Sequence, residues 1–186
     1  DLILLACNTA TAASIDLLRQ GFDIPFVGIE PFVKSIESFD LDDKELKPVV
    51  LTTKAMGESE RFKSLMNRFD PKKRIFHQIC PNLASLIEKA FEKGLGSIEA
   101  EIENELSPLL GKGFTHAILG CTHYPLIEQK IESFLGVKCI SPCLPVAKRV
   151  AQLLPASALT GRTDLYFKIS NEESFKSFQA ALLSLD

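Results

Sequence analysis

Short apolar runs alternate along this sequence with stretches of helical period, and that alternation confines the chain to an α/β architecture with mostly parallel sheet. Strand-length runs fall at 2–5, 24–29, 48–53, 74–79, 116–119, 137–140 and 165–169. Parallel neighbours cannot be joined by a tight turn, so the gaps must hold crossover helices. Helices are predicted at 11–20, 31–39, 82–93, 98–110, 125–135, 146–154 and 172–183. In the first, Ala12, Ile15 and Leu18 mark one core-facing side and Gly21 is a natural stop. Over 82–93, Asn82 is placed as N-cap, Leu83, Leu86, Ile87, Ala90 and Phe91 keep a helical rhythm, and Gly94 ends it. The charged stretch 40–48 reads as a surface linker.

Charge and cysteine content narrow the function classes. The 24 acidic and 21 basic residues nearly cancel and no Lys/Arg block stands out, so a nucleic-acid partner is not expected and a small molecule is. No apolar run approaches the roughly 18 residues that cross a bilayer, so no membrane partner is expected either. Five cysteines, an odd number in a chain large enough to bury a core without staples, suggest free thiols in a reducing cytoplasm. The first residue, Asp1, is not Met and opens a strand-like run, which leaves room for upstream segments.

Two stretches share a template. Leu4-Leu5-Ala6-Cys7-Asn8-Thr9 and Ile118-Leu119-Gly120-Cys121-Thr122-His123 both read apolar, apolar, small, Cys, polar, polar. Each places a thiol where a strand ends and a helix begins, the carboxyl edge at which open α/β sheets bind ligands. Backbone N–H groups and the helix dipole there favour thiolate and attract carboxylates. Two such thiols suit one task well: removing a proton next to a carboxylate from one face of a carbon and returning one to the other. Thiols can serve as acid or base near neutrality, so no metal or pyridoxal cofactor is obligatory, and Asn8, Thr9 and Thr122 are candidate donors to the carboxylate. Against this, a single free Cys is more often a small core residue, and Asn8, Thr9 and Thr122 could simply cap helices. His77, Cys80, Cys139 and Cys143 lack the paired knuckles of a zinc site and are assigned to structure.

At these two motifs the sequence resembles the bacterial glutamate racemases of the cofactor-independent aspartate/glutamate racemase superfamily. The resemblance extends through Val27-Gly28-Ile29-Glu30-Pro31, the Thr53-Lys54-Ala55 turn, Cys80-Pro81 and the carboxyl-terminal segment. It implies two pseudo-symmetric lobes with the active site in the cleft between them. It also implies interconversion of L- and D-glutamate for peptidoglycan, with Cys7 and Cys121 as opposed acid–base residues, and a cytoplasmic homodimer. By the same transfer, Asn8, Thr9, Thr53 and Thr122 bind substrate, His123 assists Cys121, and Glu88 supports His123. Periodicity alone would leave Glu88 as an exposed solubilising residue. His123 favours glutamate, since related aspartate racemases carry Glu after Gly-Cys-Thr.

Two departures stand out. Met56 occupies a position where the family has Thr, which removes a hydroxyl from the edge of the substrate site. The family's opening strand and Asp-Ser-Gly loop, whose Asp assists the first cysteine, are not in these 186 residues. The expectation is an incomplete first lobe from residues 1–30 and 142–186, a complete second lobe at 31–141, and an apolar 2–5 strand that promotes self-association when these residues stand alone. Alternatives are an aspartate or hydantoin racemase, or a truncated inactive or binding homologue.

Overall fold

The five residues of β3 (Pro48–Thr52) are all buried, so this strand has to lie at the centre of a sheet covered on both faces. In the computed structural model, which describes residues 1–38, 46–154, 166–167 and 176–177, it does. A parallel sheet runs β4–β3–β5–β6, with β4 at Phe76–Ile79, β5 at His116–Gly120 and β6 at Lys138–Ile140. A separate parallel pair joins β1 (Ile3–Leu5) to β2 (Phe26–Gly28) across α1 (Asn8–Gly21).

Alternation along the central strands sorts two cores onto opposite faces. Val49, Leu51, Ala117 and Leu119 pack with Leu83 and Ile87 of α4 (Leu83–Lys93), Ile102 and Leu106 of α5 (Glu99–Leu106), and Ile131 of α6 (Glu128–Leu135). Val50 and Ile118 face the other way, onto Val33 and Ile36 of a 3-10 turn at Val33–Ser38, Met56 of α2 (Lys54–Gly57) and Phe62 of α3 (Glu60–Phe69). Each fully buried Leu or Ile contributes about 1.5–3 kcal/mol. The chain leaves β3 for β4 on one side, then returns past β3 to β5 on the other. That reversal opens a crevice at the carboxyl ends of β3 and β5, where Thr53 and Cys121 follow directly.

The α/β architecture is as the sequence predicts, with corrections at the ends of elements. Pro108 closes α5 early, and 107–109 continue as a 3-10 turn. Pro125 likewise turns the start of the 125–135 helix into a 3-10 segment before α6. The 31–39 helix is the 3-10 turn at Val33–Ser38. Asn82 makes no side-chain cap; its side chain and its backbone N–H both donate to Glu105 instead, at 3.2 and 2.8 Å. Helix α3 is absent from the sequence-based set, although Ser59 caps it and Phe62, Leu65, Met66 and Phe69 form a helical stripe. Residues 176–177, expected in a helix, pair instead as a strand with Tyr166–Phe167, which gives their backbone groups ladder partners. The rest of the 165–169 and 172–183 predictions and most of the 40–48 linker lie outside the described residues. Helix α7 (Cys143–Leu153) starts slightly before its predicted bounds, and no helix among the described residues is long and apolar enough to cross a membrane.

Candidate active site

Cys7 is itself the N-cap of α1. Its backbone is extended, and its Sγ accepts the Ala10 N–H at 3.5 Å. Asn8 is therefore a first-turn residue and not a cap. It is only 2% exposed, and neither its amide nitrogen nor its amide oxygen has a hydrogen-bond partner among the described residues. Burying both unpaired costs a few kcal/mol, a state that proteins keep where a ligand completes the bonding. Thr9 reaches across from α1, its hydroxyl 3.3 Å from that of Thr53. Thr53 caps α2 by accepting the Met56 N–H at 3.3 Å. Met56 is fully buried in the core on that face of the sheet, so the residue that departs from the family pattern serves packing.

At the carboxyl end of β5, Cys121 is 8% exposed. Its Sγ lies 3.6 Å from His123 Nδ1, and His123 Nε2 lies 3.0 Å from Glu88 Oε1 of α4. A carboxylate can only accept, so Nε2 carries the proton, and Nδ1 of the neutral ring is left to accept from the thiol. The chain Cys121–His123–Glu88 can thus hold thiol beside imidazole, or thiolate beside imidazolium. Glu88 is 67% exposed, so its pairing is worth about 0–1 kcal/mol and acts mainly by orienting the ring. Thr122 is half-buried on the same loop.

Burial pushes the Cys121 thiol up; the backbone N–H groups of His123 and Tyr124 pull it down, and the charges of Cys7 and Glu88 push it up again. The net direction corrects the expectation that the strand-end position favours thiolate: for Cys121, desolvation outweighs the N–H groups.

Of the eight predicted site residues, the structure brings Thr9 to Thr53 and joins Cys121, His123 and Glu88 in one chain; Cys7 with Asn8 at the start of α1, and Thr122 beside Cys121, stand at strand ends. None lines the cavity of about 820 Å³ bordered by Asp16, Glu30, Arg61 and Arg149. There Arg61 of α3 bonds Asp16 of α1 at 2.7 Å and also Glu30 after β2, tying α3 to the β1–α1–β2 unit. Arg61 and the Glu105 anchor of α4 escaped the sequence reading, because each depends on a partner at least 23 positions away.

Residues 1–150 match the family model described as Asp/Glu/Hydantoin racemase. This chain belongs to that family. A glutamate racemase of Herpetosiphon aurantiacus is 36% identical over 160 residues, 85% of this chain and 61% of that relative. Among solved racemase structures, Escherichia coli glutamate racemase in complex with L-glutamate and activator UDP-MurNAc-ala has a TM-score of 0.71 at 27% identity. The match covers 82% of this chain and 57% of that one. Glutamate racemase from Francisella tularensis, in complex with D-glutamate, has a TM-score of 0.63 at 30% identity over 82% and 56% of the two chains. This racemase-family chain spans about half to three-fifths of the length of the curated relatives it matches.

Proposed function

We propose that the protein containing these residues interconverts L- and D-glutamate without a metal or pyridoxal cofactor, as a cytoplasmic homodimer that supplies D-glutamate for peptidoglycan. The observation that supports this reading is the Cys121–His123–Glu88 hydrogen-bonded chain, with Cys7 at the matching strand end that starts α1. One thiolate removes the α-proton, and the opposite thiol gives its proton to the other face of the carbon. The protein ends each turnover with the two thiols' protonation exchanged, and no net proton is consumed. Asn8, Thr9, Thr53 and Thr122 hold the carboxylates and the ammonium group. The buried unpaired amide of Asn8 and the Thr9–Thr53 contact support that role. Residues 1–30 with 142–186 form one lobe and 31–141 the other, Cys7 belonging to the first and Cys121 to the second.

Glutamate is favoured over aspartate and hydantoins because His123, with Glu88 behind it, stands after Gly120-Cys121-Thr122. The test is loss of optical rotation from pure L-glutamate, L-aspartate and a chiral hydantoin by the full-length protein, with Cys7→Ala and Cys121→Ala alongside. Glutamate should racemise and each variant should lose the reaction. Parental rates in either variant would refute the two-thiol mechanism.

A further inference from the structure

Beneath the Thr53 turn lies a polar contact that no part of the proposed chemistry uses. Thr52, the last residue of β3, is fully buried, and its hydroxyl lies 2.8 Å from Nε2 of His77 on β4. His77 stands beside Val50 in the β3–β4 register, on the face that also carries Thr52. Its ring is fixed from the other side by Phe62 of α3, with centroids 4.6 Å apart. Burial lowers the His77 pKa, so the ring is neutral at neutral pH and can share a proton with the Thr52 hydroxyl. Helix α2 rests directly on this pair: a Cβ added at Gly57 would stand 2.5 Å from Thr52 Oγ1 and 2.8 Å from two atoms of the His77 ring. Only a residue without a side chain lets the turn sit that low.

The opposite end of the same turn faces the cleft. Thr53 caps α2 through its hydroxyl and meets Thr9 through that same oxygen. The height of α2 above the sheet therefore sets where the Thr53 hydroxyl lies. A four-residue helix has too few internal hydrogen bonds to hold itself in place, so its seat must.

We propose that Thr52 and His77 are positioning residues for the reaction: their hydrogen bond seats α2 and so places the Thr53 hydroxyl for substrate. This inference rests on the reading that Thr53 binds substrate. It requires the seat to act on binding in ground state and transition state alike, and so to move KM rather than kcat.

The test uses the full-length protein and compares kcat and KM for glutamate in Thr52→Val, Thr52→Ser, His77→Phe, the Thr52→Val/His77→Phe double variant and Thr53→Val. Thr52→Val keeps shape and removes the hydroxyl. It should raise KM about two- to tenfold, the value of one hydrogen bond, with kcat within about twofold of the parent. Thr52→Ser should restore the parental KM. In the His77→Phe background, Thr52→Val should change KM by less than about twofold, because the partner is already gone. Should Thr52→Val fail to fold, His77→Phe, on the outer strand, is judged by the same KM criterion. If Thr53→Val raises KM while Thr52→Val leaves it at the parental value, or if the Thr52 and His77 effects simply multiply, the seat has no positioning role. If Thr53→Val itself leaves KM unchanged, the reading of Thr53 as a substrate residue fails and the inference goes with it.

Discussion

Gly120 closes β5 immediately before Cys121, and replacing it with Ala tests whether the strand end positions the thiol. A methyl there would stand 2.4 Å from the Leu51 carbonyl oxygen, 3.0 Å from Thr52 Cγ2 and 3.3 Å from Pro31 Cγ. The nearest atom belongs to the backbone of β3, whose Thr52 is paired with Gly120, so it cannot swing away as a side-chain tip would. Restoring ordinary contact needs a shift of about 1 Å in one of two central strands. Overpacking of that kind costs about 1–3 kcal/mol. At about 2–4 °C per kcal/mol for a chain of this size, the melting temperature should fall by about 2–12 °C. A shift of about 1 Å at the neighbouring thiol should lower kcat/KM by up to about 100-fold. L- and D-glutamate have equal free energies, so kcat/KM must fall equally in both directions. Thermal unfolding followed by circular dichroism, with racemisation assayed on the same samples, measures both effects. Gly21→Ala, where an added methyl meets nothing within 4 Å, serves as the control and should be neutral or stabilising by up to about 1 kcal/mol. A Gly120→Ala protein that melts within about 1 °C of the parent and racemises at the parental rate would refute the reasoning.

Three further outcomes are expected. Glu88→Gln keeps a group that can bond His123 but loses the charge; with Glu88 mostly exposed, kcat should drop only about two- to fivefold, and a loss beyond about 100-fold would mean that Glu88 does more than orient the ring. Iodoacetamide at pH 8, followed by mass spectrometry, should modify the exposed Cys7 and Cys143 before the buried Cys121, whose reaction should rise only at higher pH because burial disfavours its thiolate. Cys80 should make the fold sensitive to alkali: its ordinary pKa of 9.0 is pushed up to about 12 by burial and by Glu105. The native state then holds a proton that the unfolded chain has lost. Its contribution is therefore complete below about pH 9 and declines by about 1.4 kcal/mol per pH unit until the native thiol also ionises. Urea midpoints between pH 8 and 11 should decline less steeply in Cys80→Val, and an unchanged slope would remove Cys80 from the account.

Much of this protein was legible in the order of its residues. Alternation of apolar runs and helical periods determined parallel α/β architecture, because a strand buried on both faces must be apolar throughout and its crossovers must be amphipathic. The repeated small-Cys-polar-polar pattern located both thiols, because strand ends in such folds carry chemistry. Periodicity could not promote Glu88, which looks like any solvated glutamate; only the resemblance did, and only the packing of α4 against the β5 loop brings it to His123. Tertiary structure alone decided the net direction of the Cys121 pKa, since desolvation depends on what surrounds a thiol and not on its neighbours in sequence. It alone joined Thr52 to His77, Arg61 to Asp16 and Glu105 to Asn82, contacts between elements 23 to 45 positions apart. Local sequence sets the period and ends of an element, whereas such pairings are set by how the chain crosses over the sheet, and no short window of residues records that.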